Sequence, residues 1–385
     1  MTETLPTARL NLQPWRYLHD LAQAMQAVGH EPFVVTSTRE LARWDGIPVE
    51  HHPIPGDFRT GDGVRRILQT RQADSGLCRM TATIFFRRVR GQRRAFDGRL
   101  AGVFLRPLHD GADLARRFLD PTLASEIRLD VHHAGLYVSR RLGTWPESMS
   151  NFDEFVFLWE SDRLCAVSAG LPERICSLVR HPFDPFFRQA DSSGLGPRLA
   201  DRIEPSTRRV IFAGPPEATR GVQDALRLPS ALRSNEPTQL LVFLREPRIP
   251  EPIVSKIRSG RHTTYVVRGL ISRQELRSAY QASQVAVFPY RFVRTALPLV
   301  ILEAVASGIP VVTTRVHPIR ELEGRTGLVF ASPRDPPGLA SAVESVFDEG
   351  QQEAIQRRNR EWIQTTPDWP LVAARLVSIL RRNPS

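Results

Sequence analysis

The sequence predicts an α/β protein built from two doubly wound domains, and three observations carry that prediction. Apolar runs of strand length alternate with amphipathic stretches of helix length in both halves of the chain. A segment rich in Ser, Gly, Pro and charge, residues 188–206, separates the halves. The length of 385 residues supplies two cores. We therefore expect domains over 1–187 and 207–364, with residues 365–385 forming a last helix.

The first half begins with a helix at "YLHDLAQAMQAVGH", and the strand "FVVTST" follows it. A further helix is predicted at "DGADLARRFL". The other predicted strands are "LAGVFLR", "IRLDVHH", "RLCAVSAG" and "ICSLVRH". Strands that alternate with helices indicate a parallel sheet with crossover helices. Between Thr60 and Arg94 the sequence is irregular and predicts no element.

The second half has a clearer alternation of strands and helices. Its predicted strands are "RRVIFAG", "QLLVFLR", "TTYVVRG", "QVAVFPY", "IPVVTT" and "GLVF". Its predicted helices are "ISRQELRSAYQAS", "ALPLVILEAVAS", "PPGLASAVESVFDE" and "WPLVAARLVSILRR". Ser272 with Glu275 three residues later predicts a capping box at the start of one helix. Two such domains would enclose a cleft at the carboxyl ends of their strands.

Composition excludes several classes of protein. Hydrophobic residues make up 41% of the chain and charged residues 24%, which is typical of a globular protein. No apolar run approaches the ~20 residues that span a bilayer, and the N-terminus lacks a signal-peptide pattern, so we expect a cytoplasmic protein. Cys78, Cys165 and Cys176 form no CxxC pair, and the last two are expected as buried thiols in strands. The histidines show no metal-binding spacing, so no metal is expected.

The net charge of +11 indicates anionic partners: nucleotide phosphates, an acidic lipid surface or nucleic acid. The densest basic cluster is Phe85–Arg99, which a solvated loop would explain equally well. No zinc-finger, RNP or basic-zipper pattern is present, so no nucleic-acid partner is expected. Peripheral contact with an anionic membrane, which would place the protein at its inner face, is the remaining functional interpretation of this cluster.

Glu303 is a carboxylate inside an otherwise apolar helix, "ALPLVILEAVAS". Its neighbours three and four positions away are mostly small or apolar, so the helix is expected to be buried. A buried charge is costly unless it binds a partner, so Glu303 is interpreted as an acceptor for a polar ligand. The alternative is that Glu303 lies on a solvated face of the helix.

Three loops at strand ends are expected near Glu303. The strand ending at Gly214 leads to Arg220-Gly221, where backbone N–H groups and a guanidinium could hold a diphosphate. An ordinary strand-to-helix turn would explain that loop about as well. Gly269 ends another strand, and the backbone of Leu270 and Ile271 is predicted to face the cleft and contact an apolar base. The third loop ends at Thr295 and Ala296, whose N–H groups are predicted to start the Glu303 helix and favour phosphate.

The segments "SQVAVFPYRFVRTALPLVILEAVASGIPVVTT" and "ELEGRTGLVFASPRDPPGLASAV" resemble the donor-binding half of GT-B glycosyltransferases of glycosyltransferase family 4. The helix "YLHDLAQAMQAVGH", the segment "SDRLCAVSAGLPERI" and the terminal helix are similar to other parts of that family. The resemblance implies two Rossmann-like domains and a last helix that returns towards the first. It also implies retaining transfer of a sugar from a nucleotide diphosphate-sugar to an acceptor, such as a lipid-linked or polysaccharide acceptor, with no essential metal and no cofactor.

The resemblance also implies roles for single residues. Glu303 matches the second glutamate of the family's E-x7-E motif, which binds the ribose hydroxyls. Arg220 takes the place of the diphosphate-binding lysine. His132 matches the first-domain histidine that approaches the donor sugar, although a strand-end histidine would also explain it. The remaining donor-binding residues are expected in the loop before the Glu303 helix: Arg291, Arg294, Thr295, Ala296 and Leu297.

Three departures from the family pattern leave alternatives open. Thr295 stands where the first motif glutamate is expected, and Pro215 replaces the usual diphosphate arginine, a charge that Arg291 or Arg294 could supply instead. The glycine pair expected before the first helix is absent, which a start that omits upstream residues would explain. A degenerate GT-B protein that binds nucleotide or a partner without turnover is therefore one alternative. A nucleotide-sugar epimerase is the other.

Overall fold

The structure is a computed structural model. It describes residues 15–36, 43–44, 46–51, 66, 75–79, 82–87, 100–104, 153–168, 171–190, 208–246, 249, 251–293 and 297–380. The chain divides into two compact units. The first contains the described residues up to Pro182 and those from Pro367 onwards, and the second contains Phe183–Thr366. Both ends of the chain therefore contribute to one unit.

The first unit is an eight-stranded sheet with three helices in its described part, and the strands have the order β2-β3-β1-β5-β4-β6-β7-β8. The strands are β1 (Glu31–Thr36), β2 (Arg43–Trp44), β3 (Ile47–His51), β4 (Ser75–Arg79), β5 (Ala82–Arg87), β6 (Leu100–Phe104), β7 (Glu154–Phe157) and β8 (Cys176–Leu178). The helices are α1 (Trp15–Ala27), α2 (Glu160–Ser168) and the last helix of the chain, Trp369–Leu380.

The first sheet is mixed, whereas the sequence predicted a parallel sheet. β4 and β5 form an antiparallel hairpin in the region where the sequence predicted no element. β5 also pairs antiparallel with β1, whereas β4, β6, β7 and β8 run parallel to one another. A hairpin needs only a short turn, so β4 and β5 pair without the crossover helix that parallel strands require.

The strand predicted at "RLCAVSAG" is wrong, because Glu160–Ser168 is helix α2. Cys165 therefore lies in a helix, whereas Cys176 is buried in strand β8 as expected. Glu160 and Asp162 occupy the first turn, where the helix dipole favours negative charge. Arg163 binds Glu160 with Nη2–Oε1 at 2.6 Å, one turn apart on the helix. These local charges outweigh the short apolar run from which the strand was predicted.

The last helix of the chain packs against α1 inside the first unit. The ring centroids of Tyr17 and Trp369 lie 5.5 Å apart, and those of His181 and Trp369 lie 5.4 Å apart. Tyr17 and Trp369 are buried. The structure therefore confirms the prediction that the last helix returns to the first domain.

The second unit has a seven-stranded sheet with the order β11-β12-β10-β9-β13-β14-β15. Its strands are β9 (Arg208–Gly214), β10 (Thr238–Arg245), β11 (Ile253–Ser259), β12 (His262–Gly269), β13 (Val285–Phe288), β14 (Val311–Thr314) and β15 (Val329–Ala331). Its helices are α3 (Val222–Ala231), α4 (Arg273–Gln281), α5 (Leu299–Ala306), α6 (Pro336–Val346) and α7 (Glu349–Thr365), and the terminal helix of the first unit is α8.

The strands predicted for this unit are confirmed, and all of them run parallel. β13 and β14 are buried along their whole length, as expected for strands covered by helices on both faces. The capping box of α4 is also confirmed: the Ser272 hydroxyl accepts from the Glu275 N–H, and the Glu275 carboxylate accepts from the Ser272 N–H.

Three elements of the second unit, α3, β11 and α7, are absent from the predicted elements. β11 runs antiparallel at the edge of the sheet, and α7 follows α6 directly. The exposed polar residues of β11 give a weak apolar signal, and α7 is rich in Gln, Glu and Arg. A 3₁₀ turn, Pro185–Arg188, fastens the start of this unit to α4, because Arg277 Nη1 donates to the Phe186 carbonyl at 3.0 Å.

Candidate functional site

The candidate site lies at one edge of the second sheet. Because β9, β10, β12, β13 and β14 are parallel, their carboxyl ends meet at that edge. The chain builds the sheet outwards from β9 in one direction and from β13 in the other. In open α/β sheets, ligands bind outside the carboxyl ends at this change of direction. The loops after Gly214 and after Phe288 flank it.

The loop after β9 folds tightly against the end of β13. It forms a 3₁₀ turn, Ala218–Arg220, and passes through Gly221 in the left-handed conformation, with φ 73° and ψ 26°, before α3 begins. A Cβ atom at Gly221 would lie 1.8 Å from the carbonyl oxygen of Pro289. A larger residue therefore cannot occupy position 221 unless the two loops separate.

Backbone hydrogen bonds join the two loops. The N–H groups of Arg291 and Phe292 both donate to the Thr219 carbonyl, at 2.9 and 3.1 Å. On the other side, the hydroxyl of Thr314 donates to the Tyr290 carbonyl. The segment after β13 is thus held between the Thr219 turn and the end of β14, so the side chains it carries have fixed positions.

Arg220 lies where the sequence predicted it and contacts Tyr290, which the sequence did not single out. Arg220 Nη1 donates to the Tyr290 hydroxyl at 3.0 Å, and its guanidinium lies 5.5 Å from the ring centroid. Its Nε also lies 3.6 Å from a carboxylate oxygen of Glu217. A guanidinium held by these contacts is positioned to bind a diphosphate with its other donors.

Glu303 lies on α5, close to the same tyrosine. Its side chain is half-buried, as are those of Leu299, Val300 and Ser307, so Glu303 lies on the more accessible side of α5 and the solvated-face interpretation stays open. Burial raises the pKa of the Tyr290 hydroxyl; the positive charge of Arg220 opposes the rise, and the negative charge of Glu303 adds to it. Burial and then Glu303 also raise the pKa of Tyr280. The carboxylate of Glu303 is thus within Coulombic range of both phenols.

The start of α5 differs from the prediction. The helix begins at Leu299 with Pro298 as its N-cap, so Glu303 is the fifth helical residue. A residue before proline is disfavoured in the helical conformation, which excludes Leu297 from the helix. Leu297 is buried, and the N–H groups at the helix start are those that follow Pro298, not those of Thr295 and Ala296. Arg294, Thr295, Ala296 and His132 lie outside the described residues.

Arg291 forms a nearly buried ion pair in place of the predicted open contact. Its Nε and Nη2 donate to the two carboxylate oxygens of Asp224 at 2.8 and 2.7 Å. The side chains are 14% and 4% exposed. Two of the five N–H groups of the Arg291 guanidinium thus hold the β13 loop to α3. The predicted contact between Arg291 and a nucleotide-sugar would have to use its other N–H groups.

The third predicted loop follows Gly269, which ends β12 at φ 143°. A Cβ at Gly269 would lie 2.8 Å from the Cα of Pro252, so glycine permits a close approach of two chain segments here. The N–H of Leu270 donates to the Ile249 carbonyl at 2.8 Å. Ile271 is buried, and Leu270 is half-buried. Because the Leu270 N–H is already used in this hydrogen bond, the Leu270 backbone could contact a nucleobase only through its carbonyl group.

Arg245 is a further basic residue at this edge, and the sequence did not single it out. It is the last residue of β10 and pairs in register with Gly269, while its neighbour Leu244 pairs with Gly214. Its positive charge opposes the rise in the pKa of Tyr280, so it lies within Coulombic range of that phenol. The signal that could have found it is a charged residue directly after the apolar run "QLLVFL".

Among the described residues, no group of three or more His, Cys, Asp or Glu side chains is placed to hold a metal ion. No helix in the described ranges has both the length and the apolar character needed to cross a bilayer.

The chain is similar in sequence to known glycosyltransferases. Residues 207–349 match the family described as "Glycosyl transferases group 1". Over 228 residues, covering 56% of this chain and 52% of the relative, the chain is 31% identical to a glycogen synthase of Mycobacterium tuberculosis (strain CDC 1551 / Oshkosh). The chain spans about half the length of the curated relatives named glycogen synthase that it matches.

Solved structures match the whole chain in fold. A glycosyltransferase from Rickettsia africae ESF-5 has a TM-score of 0.63 at 11% identity, covering 97% of this chain and 95% of that one. Anabaena Alr3699/HepE, in complex with UDP and glucose, has a TM-score of 0.58 at 13% identity, covering 94% of each chain. The chain therefore has the GT-B fold, and the match of its second unit with the glycosyl transferases group 1 family supports a glycosyltransferase.

Proposed function

We propose that this protein is a retaining, metal-independent glycosyltransferase of the family 4 type, which moves a sugar from a nucleotide diphosphate-sugar to an acceptor. The observation that carries the proposal is the contact between Arg220 and Tyr290 at the change of strand direction in the second sheet, at a phenol whose pKa the negative charge of Glu303 helps to raise. A cation and a carboxylate at that edge match two parts of such a donor: the anionic diphosphate and the neutral ribose diol, whose hydroxyls donate hydrogen bonds.

In the proposed mechanism, the donor diphosphate lies beside Arg220 and the first turn of α5. The guanidinium and the backbone N–H groups would stabilise the negative charge that develops as the glycosidic bond breaks. Glu303 would accept hydrogen bonds from the two ribose hydroxyls and fix the nucleoside. In the family that the sequence resembles, the departing phosphate assists deprotonation of the acceptor on the same face, so no catalytic carboxylate pair is required.

Several features support a nucleotide-sugar donor. Tyr290 anchors the Arg220 guanidinium, so its position is set before a ligand binds. The related structure with UDP and glucose makes a uridine nucleotide the first donor to test.

The acceptor is proposed only as a class, a lipid-linked or polysaccharide hydroxyl. His132 is proposed to approach the donor sugar.

A second candidate function is nucleotide binding without turnover. Pro215 stands where the diphosphate arginine is expected, and Arg291, which could replace that charge, binds Asp224 through two of its donors. Thr295 also replaces the first motif glutamate. These changes reduce the positive charge and the sugar contacts available at the transition state. This candidate predicts binding without release of nucleotide from a sugar conjugate.

The experiment that tests the proposal measures binding and turnover together. Isothermal titration with UDP, GDP, ADP, CMP and their common sugar conjugates is run on the full chain and on Glu303→Gln, which keeps the side-chain shape. The matched control is Glu353→Gln, an exposed glutamate on α7. We expect one diphosphate to bind, Glu303→Gln to weaken it by about tenfold or more, and the control to bind normally.

Turnover then separates the two candidates. Sugar release or transfer with the matching conjugate, lost in Glu303→Gln, supports the transferase. Tight binding with no turnover across acceptor classes supports the binding protein. If no diphosphate binds, or if Glu303→Gln binds and transfers normally, the donor site is not where we place it.

A further inference from the structure

The edge strand β11 has an unusual surface that the donor site does not use. It ends the sheet order of the second unit and pairs on one side with β12. Ile253 and Ile257 on this strand are 57% and 52% exposed. They are two of the five large apolar side chains that are exposed in the described part of the chain. Two exposed isoleucines thus lie on one short strand at the edge of the sheet.

The same segment carries positive charge that is not neutralised. Lys256, Arg258 and Arg261 are all exposed, and residues 253–261 contain no acidic side chain. Within the described ranges, neither Lys256 nor Arg258 forms an ion pair. On the neighbouring strand, by contrast, Arg268 is paired with Glu246 through contacts of 2.7 and 3.1 Å. β11 and its turn thus carry three basic side chains with no acidic residue among them, and Lys256 Nζ lies 5.3 Å from the Tyr265 ring centroid.

The apolar and the basic side chains flank the outer edge of β11 from opposite faces of the strand. Successive residues of a strand alternate between its faces, so Ile253 and Ile257 share one face and Lys256 and Arg258 the other. The two isoleucines lie about 13 Å apart along the strand at a rise of ~3.3 Å per residue. A Cβ added at Gly260, in the turn to β12, meets no atom within 4 Å, so the turn projects into open space.

We propose that this surface, which we call the β11 edge and define as Ile253, Lys256, Ile257, Arg258 and Arg261, docks on an anionic phospholipid membrane. The basic side chains would bind lipid phosphates, and the isoleucines would insert at headgroup depth. Contact stays superficial, since the outer backbone groups of an edge strand are too polar to enter hydrocarbon. The inference does not depend on the proposed sugar transfer, and each can fail without the other.

Two other occupants fit the surface less well. If a second copy paired with β11 in antiparallel register, Lys256 and Arg258 would face the same residues of that copy, and like charges opposite one another are destabilising. A protein partner would need to cover about 800 Å² per side, far more than two separated isoleucines on a seven-residue strand offer. An anionic bilayer needs only apolar side chains at its surface and basic groups around them.

The test is co-sedimentation of the full chain with phosphatidylcholine vesicles that contain either no anionic lipid or roughly one third phosphatidylglycerol. Two double variants probe the surface: Ile253→Ser with Ile257→Ser, and Lys256→Gln with Arg258→Gln. The charge-matched control is Arg357→Gln with Arg358→Gln, two exposed arginines on α7. Thermal unfolding of each variant checks that the fold is retained.

Lys256 provides a second readout, because it is the only lysine of the chain. Amine acylation followed by mass spectrometry of the Lys256 peptide reports whether this one position is covered. We expect binding only to anionic vesicles, a loss of about fivefold or more in both double variants, wild-type binding by the control, and protection of Lys256 by anionic vesicles alone.

Four results would overturn the proposal. They are no binding by the wild type, wild-type binding by the two β11 variants, an equal loss in the control, which would indicate attraction by net charge alone, and full acylation of Lys256 on bound vesicles. Dimerisation that is lost in Ile253→Ser/Ile257→Ser would assign the surface to a second copy. Wild-type binding to an acidic extended peptide but not to vesicles would assign it to a protein.

Discussion

Arg220 and Tyr290 form the contact on which the candidate site is built. The guanidinium donates to the phenol at 3.0 Å while its carbon lies 5.5 Å from the ring centroid. The two residues come from different loops, one after β9 and the other after β13. The pair therefore forms only when both loops are folded at the edge of the sheet. The position of the Arg220 guanidinium depends on both loops for the same reason.

Removing the cation should weaken diphosphate binding more than removing its anchor. We expect Arg220→Ala to lower the affinity for the preferred nucleotide diphosphate by about 10- to 100-fold, since a charge-assisted hydrogen bond contributes about 1.5–3 kcal/mol. Tyr290→Phe keeps the charge and should cost less. Titration calorimetry measures both. Equal affinity in Arg220→Ala and the wild type would remove Arg220 from the site.

Arg245 should contribute to the same binding step. It lies at the end of β10 opposite Gly269, within Coulombic range of Tyr280. We expect Arg245→Gln to weaken diphosphate binding by about tenfold and to weaken binding of the uncharged nucleoside much less. Arg358→Gln, on the exposed face of α7, is the control and should bind like the wild type. An equal loss for nucleoside and diphosphate would indicate a structural role for Arg245.

Stability should fall at alkaline pH because of buried phenols. Burial raises the pKa of both Tyr280 and Tyr290 above the ordinary value of 10.0. The fold therefore favours the protonated phenol, and this stabilisation is complete below pH 10 and is lost as the pH rises through the raised folded-state values. Melting temperature measured from pH 8 upwards checks this, and Tyr290→Phe should flatten the decline. An unchanged slope in that variant would contradict the assignment.

The Arg291–Asp224 pair should behave as a buried ion pair. Removing one partner in Asp224→Ala leaves Arg291 without its bidentate acceptor, and we expect a loss of about 3–5 kcal/mol in the free energy of unfolding. The double variant Asp224→Leu/Arg291→Met should lose less than the sum of the two single changes. Urea unfolding gives all three values. Additive losses would show that the two side chains do not interact.

Gly221 and Gly308 provide a matched test of the contact between the two loops. Both adopt left-handed backbone, with φ 73° and 84°. A Cβ at Gly308 meets no atom within 4 Å, whereas one at Gly221 meets the Pro289 carbonyl at 1.8 Å. Gly308→Ala should therefore cost about 1 kcal/mol of unfolding free energy from strain alone. Gly221→Ala should cost more and weaken nucleotide binding as well. Equal costs for the two variants would contradict the close approach.

Local pattern determined the six parallel strands of the second unit, its helices α4, α5 and α6, the capping box of α4 and the last helix. Each depends on residues close together in the chain: continuous β-branched runs for buried parallel strands, and Ser272 with Glu275 for the cap. Local pattern also singled out Glu303 and Arg220. Pattern failed at β11, where polar and basic residues interrupt the apolar ones and most side chains are exposed, and at α2, where charges in the first turn outweigh a short apolar run.

The tertiary structure decided which of the predicted site residues act together. Tyr290 and Arg245 have no motif of their own and become part of the site only because parallel strands bring their ends to one edge. Arg291 has the same charge as Arg220, yet Asp224, 67 positions earlier, takes up two of its donors. The sequence by itself determined which elements form and which residue types they carry. Pairing between residues distant in the chain depends on strand order and register, and only the folded chain sets both.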